Sequence, residues 1–85
     1  MATCIRVNGT RELLANAALH TLQLAVGGYV EAIMLPMNVV MFVNEDAVSQ
    51  DLPINPTATS ICVGRASMAG GIRGDVVLCD TKEIR

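Results

Sequence analysis

Leu22-Gln23-Leu24-Ala25-Val26-Gly27-Gly28-Tyr29-Val30-Glu31-Ala32-Ile33-Met34-Leu35-Pro36 is the stretch whose reading decides the fold. Its first half ends a helix. Leu19, Leu22 and Val26, with Ala18 and Ala25 beside them, recur at the i, i+3, i+7 spacing that lays one stripe on a core. Gly27 suits the left-handed position that closes such a helix, where a Cβ would be strained. Gly28 lets the chain turn tightly or pass close to another group. From Tyr29 to Leu35 the residues are apolar and β-branched enough to make a strand.

Working outward, Pro36-Met37-Asn38 reads as a short turn and Val39 to Val43 as a second strand, which together make an antiparallel hairpin. Alternation sets Val30, Ala32 and Met34 on one face, and Tyr29, Ile33 and Leu35 on the other with Glu31 between them. The second strand is apolar on both faces. A sheet buried on both sides needs a layer on each, and one ten-residue helix covers one face. The expectation is that a second copy of the chain covers the other, giving a homo-oligomer.

Upstream, Thr3 to Val7 is β-rich, Asn8-Gly9 is the pair preferred by type I′ hairpin turns, and Thr10 to Leu14 returns. Asn16 is placed to cap a helix over Ala17 to Val26. Downstream, Asn44-Glu45-Asp46 ends the hairpin, and a helical turn follows over Ala47 to Gln50. Leu52 to Pro56 is extended around two prolines. Asn55 before Pro56 has the form of an N-cap with proline at the first helical position, starting a short turn at Thr57 to Thr59. Ser60 to Val63 reads as strand, Arg65 to Arg73 as a mobile loop, Val76 to Cys79 as the closing strand, and 81–85 as a frayed charged tail. The sum is one α+β domain over residues 1–85: a small antiparallel sheet of about four to five strands with one main helix packed on one face.

Composition excludes several classes of function. The chain is 52% apolar but only 2% aromatic, so its core is built from Val, Leu, Ile, Ala and Met. A net charge of −2, with six scattered Lys and Arg, cannot form the basic stripe that duplex nucleic acid requires. No apolar run reaches the ~18 residues of a membrane span, and Arg11, Glu12 and Asn16 interrupt what would be a signal peptide. A cytoplasmic protein is expected, in the host cytoplasm if viral. Cys4, Cys62 and Cys79 each sit in an apolar run and read as reduced core thiols. With His20 the only histidine, no metal site and no cofactor are expected.

Catalytic patterns are missing: no GxGxxG, Walker A, HExxH or GxSxG, and no nucleophile with a neighbouring base. The expectation is a non-enzyme. Polar residues do gather at the strand ends and the Asn-Pro turn. If Asn55 caps a turn at Pro56, the N–H groups of Thr57 and Ala58 and the hydroxyls of Thr57 and Thr59 offer an anion site that Arg65 can complete. Tyr29, Asn44 and Glu45 can supply a ring face and hydrogen bonds. Glu31, a lone carboxylate in an apolar strand, must reach water, a donor or a partner chain. The same residues also serve simply as caps and turns.

At these positions the chain resembles the domain of unknown function 3846 family of bacteriophages, mobile elements and their hosts. The likeness rests on Leu22-Gln23, Val26 to Glu31, Asn44-Glu45, Leu52 to Asn55 with Ala58-Thr59, and Gly74 to Val77, and it covers most of the chain from about Leu22. It implies a small, phage-encoded α+β domain and assigns no activity. The resulting expectation is a homo-oligomeric binding protein that sequesters a nucleotide-like host immune signal, with Tyr29, Glu31, Asn44, Glu45, Asn55, Thr57, Thr59 and Arg65 as ligand-binding residues. The alternative is an adaptor that grips a host protein through its apolar sheet face or the 66–73 loop.

Overall fold

The computed structural model describes residues 2–62 and 71–83. Five strands, β1 (Ala2–Ile5), β2 (Arg11–Leu14), β3 (Val30–Leu35), β4 (Val39–Asn44) and β5 (Val76–Asp80), form one antiparallel sheet in the order β2-β1-β5-β4-β3. The main helix α1 (Leu19–Val26) packs on one face. A short helix α2 (Pro56–Ile61) lies across the other, where Ala58 and Cys62, one turn apart, join Ile5, Met41 and Val76 in a second core. The expected α+β architecture is therefore present, with five strands.

The second layer revises the reasoning that called for another copy. Two extended segments cover the second face from within the chain. Asn55 N donates to Ile72 O at 2.7 Å and Gly74 N to Pro53 O at 2.8 Å, and Ile54 bridges Arg73. That pairing presses Ile72, 4% exposed, onto the sheet beside α2. β4 and β5 are thus buried on both sides by their own chain. Ser60 and Ile61, expected in a strand, belong to α2, because the Asn55-Pro56 start signal fixes the backbone before their β propensity can act.

Other local differences have equally local causes. Asn8-Gly9 does turn the β1–β2 hairpin, but only Gly9 has positive φ (90°), so the turn is a three-residue loop rather than type I′. Asn16 does not cap the helix directly. Its Oδ1 accepts from Ala18 N and from the Thr21 hydroxyl, and α1 starts at Leu19 after an uncapped Ala18. Leu19 is consequently exposed, and Ala17 fills that end of the core. Gly27 closes α1 at φ 81°, as its position demanded. At the C-terminal end, Thr81–Glu83 forms a 3₁₀ turn tied down by Thr81 N to Asn38 O at 2.9 Å. All three cysteines are buried thiols, and burial pushes that of Cys4 above its ordinary pKa.

Candidate functional site

The corner after α1 is held by one side chain. Asn44, 3% exposed at the end of β4, donates from Nδ2 to Val26 O and to Gln50 Oε1, each at 3.1 Å, and accepts Asp46 N on Oδ1 at 2.8 Å. Its amide lies so near Gly28 that a Cβ there would stand 3.1 Å from Nδ2, which explains the second glycine of the pair. Glu45 N then donates to Tyr29 O at 2.8 Å. Asn44 therefore ties the end of the helix, the glycine corner and the turn after β4 into one seam.

Asn55 forms a second seam. It is fully buried. Its Nδ2 donates to Ile5 O at 3.0 Å and Gly74 O at 2.9 Å, and its Oδ1 accepts Ala58 N at 3.0 Å. The cap expected at this position is real, but every polar atom of the side chain is occupied internally. The N–H of Ala58, counted toward an anion site, is likewise spent on the cap. Thr59 Oγ1 accepts Ile72 N at 2.9 Å, and Thr57 sits half-buried near the Gly9 turn. The Asn-Pro turn is thus a joint in the fold. Arg65 lies outside the described residues.

What the seams leave open is a groove of about 190 Å³ running from β3 over the turn after β4 to the segment at 71–73. Of the expected residues it brings together Glu31, Asn44 and Glu45. Strand register accounts for this, since Glu31 lies opposite Val43 and Glu45 opposite Tyr29, so both carboxylates leave the sheet on the α2 side. Ile33, Val43 and Ile72 make the floor. Arg73, not singled out from the sequence, stands on the far wall with Nη1 on Leu52 O at 2.8 Å. It was hidden in the glycine-rich Gly70 to Gly74 run, and no local pattern announces that the backbone of 71–74 pairs with 52–55. Tyr29, 67% exposed, lines a separate depression with Gln23, Asp46 and Gln50.

A second polar cluster also escaped the sequence reading. Arg6 makes a two-pronged contact with Glu12, both at 3.1 Å, and reaches Asp75 Oδ2 at 2.9 Å, while Asp75 Oδ1 accepts Val7 N at 2.8 Å. The guanidinium hydrogen bonds hold Glu12 below the usual carboxylate range. This cluster pins the β1–β2 hairpin to the start of β5. Among the described residues, no group of three or more His, Cys, Asp or Glu side chains is placed to hold a metal ion, and no helix is long and apolar enough to cross a membrane.

Fold and groove define a small α+β domain with a rim of opposite charges on an apolar floor. The chain belongs to the family described as domain of unknown function DUF3846, whose model matches residues 3–84 and so includes the N-terminal hairpin as well as the part from Leu22 onward. No curated protein and no solved structure matches it.

Proposed function

We propose that the protein is a non-enzymatic binder of a small nucleotide-like ligand, seated in the groove between β3, the turn after β4 and residues 71–73. The observation that carries this reading is the convergence of Glu31, Glu45 and Arg73 over Ile33, Val43 and Ile72. Carboxylates accept the N–H groups on a base edge, a guanidinium matches phosphate oxygens in a two-pronged geometry, and the apolar floor takes the ring. The groove's volume, about 190 Å³, falls below the ~300–1,000 Å³ of drug-sized sites. It accommodates one base with its phosphate and does not enclose a dinucleotide. Among the described residues lining it there is no Ser, Cys, His or Lys to act as a nucleophile, which favours binding without turnover. In the phage or mobile-element setting that the family resemblance implies, such a binder acts by withdrawing a nucleotide-like host signal. The adaptor reading loses the sheet face it relied on, since α2 and Ile72 cover it, and residues 66–70 of its loop lie outside the described residues.

The test is thermal unfolding with guanosine monophosphate, a cyclic dinucleotide and ADP-ribose. A ligand at a hundred times its Kd adds about 2.7 kcal/mol, which for a domain of this length raises Tm by roughly 10 to 20 °C. Glu31→Gln and Glu45→Gln, both at exposed positions, are expected to abolish the rise while leaving the melting of the unliganded protein unchanged. No rise with any of the three in the unaltered protein refutes the proposal.

A further inference from the structure

The groove sorts its hydrogen-bonding groups by kind. Glu31 lies opposite Val43 and Glu45 opposite Tyr29, so the two carboxylates are diagonal neighbours on one face of the β3–β4 ladder, a spacing of about 7–8 Å. Both side chains are exposed, and at that spacing both reach one small ring system. Several donors beside them are already spent. Asn44 gives its amide hydrogens to Val26 O and Gln50 Oε1, Glu45 N goes to Tyr29 O, Ala47 N to Asn44 O and Ile72 N to Thr59 Oγ1. A carboxylate only accepts, whereas a guanidinium only donates. Among the described lining residues, Arg73 is the one side chain with donors to spare, since Leu52 O takes only its Nη1. One wall therefore accepts and the other donates.

Given the nucleotide-like site proposed for this groove, on which the next step rests, we infer that the base it holds is guanine. A base that meets two carboxylates must present hydrogens rather than lone pairs. Guanine carries N1–H beside the N2 amino group on one edge. One carboxylate takes N1–H and an N2–H as a fork, and the other takes the remaining N2–H or a ribose hydroxyl. The other bases lack that fork. Adenine's amino group stands between the lone pairs of N1 and N7, cytosine's stands beside that of N3, and uracil and thymine hold their N–H between two carbonyl oxygens. Against each of these a carboxylate gains a single hydrogen bond and meets a lone pair. With the ring on Ile33, Val43 and Ile72, Arg73 on the far wall is left for the phosphate.

Isothermal titration calorimetry of the unaltered protein with guanosine, inosine and adenosine monophosphates tests the choice. Sugar and phosphate are the same in all three, and inosine lacks only the N2 amino group. Hydrogen bonds to a charged group are strong enough that losing one arm of the fork should weaken binding by about tenfold or more. Guanosine monophosphate is expected to bind tighter than either of the others by that margin. Glu31→Gln and Glu45→Gln, both at exposed positions, each place an amide N–H in the accepting wall and should narrow the margin with unchanged circular dichroism. If inosine or adenosine monophosphate binds as tightly as guanosine monophosphate, the groove takes nucleotides but does not select guanine. A margin that survives both substitutions means that other groups read the base, which also overturns the inference. If none of the three binds, the nucleotide-like site itself is refuted, and the choice of guanine with it.

Discussion

Replacing Asn55 with alanine removes three hydrogen bonds at once from a fully buried site, the two its amide donates to Ile5 O and Gly74 O and the one it accepts from Ala58 N. A buried polar group left unsatisfied costs about 1–3 kcal/mol, and loss of an N-cap about 0.5–2. Allowing the short helix to relax, the total is roughly 3–5 kcal/mol, a large part of the ~4–13 kcal/mol expected for a domain of this length. With a urea slope of about 1–1.5 kcal/mol per molar, the unfolding midpoint should fall by roughly 2 to 5 M when followed by circular dichroism. Asn55→Asp sharpens the test. It keeps the acceptor for Ala58 N but points a carboxylate at two carbonyl oxygens, which raises the folded pKa of the introduced carboxyl above its unfolded value of about 3.9. The folded state then binds the extra proton more tightly, so the defect should be full at neutral pH and shrink as pH falls toward that unfolded value. A midpoint for Asn55→Ala within about 0.5 M of the unaltered protein would refute the reasoning and return Asn55 to the list of residues facing a ligand.

Two further outcomes follow from the surface. Arg6 holds Glu12 below the ordinary carboxylate range, so the contact's stabilisation is complete above the unfolded Glu value of about 4.3 and is lost as pH falls through the lower folded value. Glu12→Gln should therefore destabilise at pH 7 and converge on the unaltered protein near pH 2; urea melts with an equal gap at both would contradict this. Met37 is 90% exposed yet held at φ 65°, a region that a bulky side chain occupies at a cost. Met37→Asn should gain roughly 0.5 kcal/mol and raise Tm by about 2 to 4 °C; an unchanged or lower Tm would show that the turn is not strained.

The sheet was legible because its signals are local. Val39 to Asn44 and Val76 to Asp80 are apolar runs that no other element could use, and Gly27 stops a helix whichever partner that helix meets. The second layer was not legible. It depends on residues 52–55 pairing with 71–74, two segments whose composition reads as turn and loop, and whose pairing is fixed only when Asn55 bridges Ile5 O and Gly74 O. Without that pairing in view, a sheet apolar on both sides seemed to require a second copy. Arg73 was missed for the same reason, since it reaches the groove on a segment placed by long-range contacts alone.

The residues on which the family resemblance rests are mostly the seams. Asn44 touches both Val26 and Gly28, and Gly74 is bonded to both Pro53 and Asn55. Such residues identify the fold because a change in one requires a change in its partner, and for the same reason they are poor ligand contacts: their polar atoms are already spent. The groove residues work the other way. Glu31 and Glu45 carry the resemblance too, yet they are exposed, so the fold tolerates other residues there, and nothing about packing explains two carboxylates and an arginine lining one apolar floor. Yet the seams decide where those residues stand. Asn44 directs its amide toward α1 and accepts Asp46 N, and this turns the chain after β4 so that Glu45 and Ala47 line the groove. A change at Asn44 should therefore reach the groove without touching it, through the direction in which the chain leaves β4.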